Sequence, residues 1–257
     1  MNCFENTAGL YDLDNRDNLI DDIPFYIEYA KRQRGEILEL GCGTGRVSLA
    51  LAAEGFNITG LDLSQEMLDV FRGKPADKPE LDNKITLIRG NMADFTFDRK
   101  FSMIIAPFRA FQCLTDNNDI TNSLACIRNH LTDNGIFIVN VFNPSPERMT
   151  EKAWCYPETV QWEHFDEKTG NHVVKKHWGD KIDTENQIIY PHFVFEITYP
   201  NGETKRITDD LKLKYYFSEQ LRSVIENAEM KITEEYSWYD KAPAGGREII
   251  FICKKKP

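Results

Sequence analysis

Residues 37–46 read "ILELGCGTGR". Four residues of buried-strand character, Ile37 to Leu40, run into glycines at every second position, Gly41, Gly43 and Gly45, with Glu39 just ahead of them. A turn of this kind removes side chains from the backbone and lets a ligand lie directly against it. The dinucleotide fingerprint is G-x-G-x-x-G, its last glycine letting the first helix pack on the strand. Counted from Gly43, that last position is Ser48, so the spacing does not suit NAD. Glu39 places a carboxylate where a pyrophosphate would be repelled and an ammonium group welcomed. Asp62 ends the next strand in "GLDLS", where a carboxylate can accept hydrogen bonds from both hydroxyls of a ribose. Together they describe a nucleoside with an amino-acid tail.

Outward from the loop, strand and helix signals alternate. "EILEL", "FNITGLDL", "KITLIRG", "FSMIIAP" and "GIFIVNVF" read as strands, and "GRVSLALAAEG", "SQEMLDVFRG" and "NNDITNSLACIRNHL" as helices between them. Gly55 stops the first of these helices and Ser64 caps the second. Such alternation implies an α/β fold, a parallel sheet with helices on both faces. Before it, "NLIDDIPFYIEYAKRQRG" is an opening helix with Gly35 as its left-handed cap. From Lys152 to Phe217 the pattern changes to an antiparallel meander, with turns at "DEKTGN", "DTEN" and "PNGE". Asn201-Gly202 is its clearest hairpin signal, and Pro191 predicts an edge position or a bulge. A helix capped by Ser218 and two closing strands follow, so the meander is an insertion. The expected organisation is an N-terminal helical lid (1–35), a cofactor-binding core (36–151 and 218–257) and an inserted sheet (152–217) that forms substrate pocket or dimer contact.

The formal charge of −10 disfavours DNA or RNA as a partner, because such binding draws on lysine and arginine neutralising phosphates. No apolar run approaches the ~18 residues that span a bilayer, which predicts no membrane association. The first residues, "MNCFENTAGLYDLDNRDN", lack a basic leader and an apolar stretch, so no signal peptide and a cytoplasmic location are expected. The six cysteines show no C-x-x-C pair or zinc spacing, and no metal is expected.

"ELGCGTGR", "GLDLSQEML", "RGNMADF", "FSMIIAPF" and "LTDNGIFIVNVF" resemble, in order over residues 36–142, the motifs of class I S-adenosylmethionine-dependent methyltransferases. The resemblance implies a Rossmann-like, seven-stranded, mostly parallel sheet with S-adenosylmethionine as cofactor. Glu39 and the loop residues Gly41, Cys42, Gly43 and Gly45 would hold its methionine part and Asp62, with Leu63, its ribose. Met67 would pack near it, Asn91 and Met92 would flank adenine, and Ala106 and Phe108 would run beside it. Asn91 stands where many relatives have aspartate, so adenine recognition there would rest on the amide oxygen or on backbone. The layout, with "GLYDL", the meander and "APAGGREIIF", is similar to small-molecule enzymes of the sugar-amine N,N-dimethyltransferase and glycine N-methyltransferase kind.

That likeness makes Tyr11 a catalytic and cofactor-facing residue; Arg16, five positions later, is a candidate partner for the cofactor carboxylate, with a solvated arginine as the alternative. Arg109 is the second catalytic candidate. Phe108, Arg109 and Gln112 leave the fourth strand at the crevice where open α/β sheets bind ligands, and Asn143 leaves the fifth at the same rim, so these four are the substrate-binding candidates. The insertion holds twelve of the thirty aromatic residues, together with His164, His172, His177 and His192. Either it packs on the core and a second subunit, or some of it walls the acceptor pocket with a histidine taking the proton. His130 reads as structural. The expected reaction is methyl transfer to a small molecule, at an amine or, as alternative, an oxygen. A nicotinamide-dependent oxidoreductase and a non-catalytic cofactor-binding subunit are the competing classes.

Overall fold

The computed structural model describes residues 4–14, 21–74 and 79–256. Its larger sheet has seven strands in the order β11-β12-β5-β4-β1-β2-β3. These are β1 (Ile37–Leu40), β2 (Ile58–Asp62), β3 (Ile85–Arg89), β4 (Phe101–Ala106), β5 (Leu131–Phe142), β11 (Met230–Tyr236) and β12 (Glu248–Lys255). The first five pair in parallel, and β12 runs antiparallel between β5 and β11. Every residue of β1 is buried, as a strand covered on both faces must be.

Strand alternation divides the core. Leu38, Leu40, Phe137 and Val139 meet the apolar faces of α4 (Asn117–His130) and α6 (Ser218–Asn227). Ile37, Met103, Ile136 and Ile138 meet α1 (Asp22–Gln33) and α2 (Arg46–Ala53) on the other side. Ser64 caps α3 (Gln65–Gly73) by accepting from the Met67 N–H. Two expected caps differ. Arg34, with φ +51°, takes the left-handed position after α1, while a Cβ on Gly35 would lie 2.7 Å from the Ser102 hydroxyl, so Gly35 is there for close packing on β4. Phe217 occupies the N-cap of α6, because the Ser218 hydroxyl donates instead to Glu235.

The insertion forms its own antiparallel sheet from β6 (Tyr156–Asp166), β7 (Asn171–Asp183), β8 (Ile188–Thr198), β9 (Thr204–Asp210) and β10 (Leu213–Lys214). The short helix α5 (Glu151–Trp154) leads into it. β9 and β10 share the far edge of β8, β9 pairing with His192–Thr198 and β10 with Ile188 and Ile189. Pro191 sits between these stretches and opposite Gly179, where the β7 register shifts, so the bulge alternative holds and the strand is central. Gly202, at φ +85°, makes the expected hairpin turn. His130 is structural: its Nδ1 bonds the Cys126 carbonyl and its Nε2 accepts from the Phe97 N–H. No helix among the described residues is long and apolar enough to cross a membrane.

Candidate active site

The carboxyl ends of the five parallel strands share one edge of the sheet, and a cavity of about 290 Å³ opens there. Its floor is the glycine loop, and the chain explains each glycine differently. A Cβ on Gly41 would stand 2.7 Å from the Ala110 Cβ. Gly43, at φ +52°, has nothing within 4 Å of its Cβ position and presents bare backbone to the cavity. Gly45, at φ +87°, would drive a Cβ to 2.3 Å from the Phe71 ring on α3. The alternate spacing therefore reflects two packing contacts around one open position.

Asp62, at the end of β2, organises the rim. Its Oδ2 accepts the Gly43 N–H at 2.7 Å and its Oδ1 the Ser64 N–H at 2.8 Å. Burial raises its pKa, and these backbone donors oppose the rise. Leu63, Met67, Asn91 and Met92 line the same side of the site. The Asn91 Oδ1 is already bonded to the Ala93 N–H at 2.9 Å, which leaves backbone as the better candidate for meeting an adenine.

Glu39 lies elsewhere. It shares the sheet face of Ile37, is 2% exposed, accepts the Ser48 hydroxyl and is not among the residues lining the cavity. Burial pushes its carboxyl up to about 8, against the Ser48 hydrogen bond and the Arg46 charge. An ammonium group in the cavity would therefore not meet Glu39 directly in this conformation. Ser48, where a dinucleotide loop would carry glycine, is this carboxyl's partner. Cys42 packs with Leu68 and Phe71, and Ala106 is fully buried, with Pro107 lining the cavity in its place.

The opposite side brings together distant segments. A 3₁₀ turn, Ala8–Leu13, carries Tyr11 into the cavity, where burial pushes its hydroxyl up to about 12 against the pull of Arg46. Asp12 fixes this turn to the core through the Thr44 hydroxyl and Lys74, both at 2.7 Å. Asp14 pairs with the buried Lys175 of β7 at 3.4 Å, and Thr7 donates to the buried Asp209 of β9. Phe4 stacks on Phe193 of β8 with centroids 5.9 Å apart. Residues 4–14 thus bridge the two sheets across the cavity. Arg16 lies outside the described residues.

Phe108 and Arg109 leave β4 with φ of +50° and +67°, a conformation costly for side-chain-bearing residues and concentrated at functional sites. Asn140 on β5 holds this turn: its Oδ1 accepts the Arg109 N–H at 2.8 Å and its Nδ2 donates to Glu248 at 2.7 Å. Glu248, 4% exposed, also pairs with the Arg109 guanidinium. Neither Asn140 nor Glu248 was an expected site residue. The only signal for them was their position at the carboxyl edge, Asn140 in β5 and Glu248 opening β12.

Gln112 and Asn143 do not line this cavity. Gln112 is fully buried, donating to the Lys214 carbonyl at 2.8 Å and accepting from the Phe142 N–H at 3.1 Å, so it clasps the insertion to the core. Asn143 is tied to Gly246 and Arg247 and borders a separate cavity of about 360 Å³ with Glu235 and Glu248. The insertion contributes Phe193, Leu211 and Leu213, and none of its histidines lines the cavity. His177 meets the Tyr156 hydroxyl at 3.1 Å, and His192 stacks on Trp178 between Asp180 and Asp210, which raise its pKa against the effect of burial. Among the described residues, no group of three or more histidine, cysteine, aspartate or glutamate side chains is placed to hold a metal ion.

Residues 37–135 match the family described as Methyltransferase domain. YqeM of Bacillus subtilis, named as a methyltransferase, is 30% identical over 144 residues, covering 54% of this chain and 55% of its own. The dTDP-3-amino-3,4,6-trideoxy-alpha-D-glucopyranose N,N-dimethyltransferase of Streptomyces venezuelae is 27% identical over 138 residues, 54% of this chain and 50% of that one. The chain spans about half the length of the curated relatives it matches. A crystal structure of an S-adenosylmethionine-dependent methyltransferase from Clostridium acetobutylicum superposes with a TM-score of 0.78 at 19% identity, over 97% of this chain and 98% of that one. Residues 37–135 thus carry the likeness to the methyltransferase domain, in a chain whose whole fold is that of the S-adenosylmethionine-dependent methyltransferase structure.

Proposed function

We propose that the chain binds S-adenosylmethionine in this cavity and transfers its methyl group to the amine of a small molecule. The observation that carries the reading is the open backbone of Gly43 beside the Asp62 carboxylate: a cradle that a single Cβ would fill, next to an acceptor for sugar hydroxyls. Each Asp62 oxygen takes one backbone N–H and keeps lone-pair capacity for a ribose hydroxyl. The amine is supported by the N,N-dimethyltransferase relative and by the acidic balance of the chain, which favours cationic acceptors in the encounter.

When bound, S-adenosylmethionine supplies a sulfonium methyl group, so that the amine lone pair forms the N–C bond while the C–S pair returns to sulfur. The leaving thioether needs no proton, and the protein's task is alignment and exclusion of water, worth roughly 7–11 kcal/mol in favourable cases. Tyr11 remains a neutral phenol near pH 7. Its oxygen can accept an N–H of the acceptor and turn the nitrogen lone pair toward the methyl group, and the proton of the methylated amine passes to water. The ring of Tyr11 adds an electron-rich face for a nearby cation, worth roughly 0.5–2 kcal/mol.

Calorimetry with S-adenosylhomocysteine, followed by release of that product in the presence of amine and phenol acceptors, tests the reading. Absence of binding removes it. Turnover confined to phenols moves the acceptor to oxygen. Tyr11→Phe is expected to lower kcat about tenfold with the affinity for S-adenosylhomocysteine unchanged.

A further inference from the structure

We infer that the acceptor amine is carried on an apolar body, aromatic or alkyl, with no phosphate attached; the inference rests on the methyltransferase reading above and narrows its substrate class. The apolar lining of the cavity includes Phe4, Tyr11, Phe108, Phe193, Leu211 and Leu213. The rings form an ordered surface. Phe4 and Phe193 lie parallel to within 11°, and Tyr11 stands edge-on to Phe4 at 5.2 Å. Phe108 is 43% exposed and held on left-handed backbone, so the protein spends both conformational and hydration free energy to present this ring. A flat or alkyl ligand covering it recovers the hydration part.

The charges point the same way. Arg109 is the one cation among the described residues that line the cavity, and Glu248 and Asn140 hold it in a closed arrangement. The lining carboxylates are Asp62 and Asp119. A nucleoside diphosphate, as in the sugar substrate that the Streptomyces venezuelae relative's name carries, brings two negative charges that need donors not already committed to a carboxylate. Here it would meet aromatic faces and like charge. An amine that arrives as a cation is attracted by the carboxylates and reacts after losing its proton to water. The N–C bond then forms as the C–S bond breaks.

The test uses the full-length chain with S-adenosylmethionine and compares phenethylamine with a thymidine-diphosphate-linked amino sugar, reading S-adenosylhomocysteine release. Phenethylamine is expected to be turned over with kcat/KM at least about tenfold above the sugar nucleotide. Phe193→Ala, on the inserted sheet, is expected to raise KM for phenethylamine about fivefold while the calorimetric Kd for S-adenosylhomocysteine stays within about twofold. Equal or better turnover of the sugar nucleotide overturns the inference, as does binding of S-adenosylhomocysteine with turnover of neither acceptor. Both results leave the cofactor reading standing. Failure to bind S-adenosylhomocysteine overturns the cofactor reading itself and the inference with it.

Discussion

Gly43 and Phe193 line one cavity but reach it by different routes. Gly43 is placed by a ten-residue strand and turn, and its nearest determinants, Gly41, Gly45 and Asp62, lie within about twenty residues of it. Phe193 is placed by a five-stranded insertion and by Phe4, which stacks on it from the other end of the chain. The first side works by exposing backbone, which no side-chain substitution elsewhere reproduces. The second works by assembling side chains, which tolerate exchange as long as the volume and the apolar character stay. On the proposed reading, a site built this way can keep its donor side while its acceptor side changes, and the two sides should respond differently to mutation.

The largest expected difference is a pH effect on the glycine-loop side. A buried acid with a raised pKa binds its proton more tightly folded than unfolded, so Glu39 lowers stability progressively as pH rises from its ordinary 4.5 to about 8. At about 1.4 kcal/mol per unit, the loss over that range is on the order of 4 kcal/mol. Glu39→Gln, which keeps a partner for Ser48, should flatten this part of the stability curve in urea titrations run across the interval. An identical slope in both proteins would mean that Glu39 is ionised with a normal affinity for protons.

Next is Gly45→Ala, which places a methyl group against the Phe71 ring at left-handed φ and should destabilise by roughly 3 kcal/mol in chemical denaturation. Gly43→Ala, with the same sign of φ but open space, should cost less stability and more cofactor affinity. Asp62→Ala should weaken S-adenosylhomocysteine binding about a hundredfold by calorimetry, since it removes the acceptor and frees two backbone N–H groups. The smallest effect is on the other side: Glu248→Gln should loosen Arg109 and raise the acceptor KM about threefold, with cofactor affinity unchanged. A change in cofactor affinity of similar size would erase the distinction between the two sides.

The same contrast explains what was legible in the sequence. The succession of strands and helices, the insertion, the glycine loop and Asp62 come from short-range patterns, and there periodicity and turn chemistry act within a few residues. Gln112 and Asn143 lie at the edge where ligand contacts were expected, but hydrogen bonds to Lys214, Phe142 and Gly246 direct their side chains into structure. Asn140 and Glu248, 108 positions apart, act through each other, and no local pattern encodes such a pair. The insertion's histidines were equally visible in composition, but strand alternation gave the cavity Phe193 and left His192 on the other face of β8 against Trp178.

The tie between Thr7 and Asp209 spans 202 positions. On the ribosome, the first of these residues emerges long before the second exists, so the nascent chain completes its glycine loop while the cleft above it still lacks a roof. Closing that roof must wait until β9 has been made, and a chain interrupted before it would carry the glycine loop and Asp62 with nothing to fasten Thr7 above them.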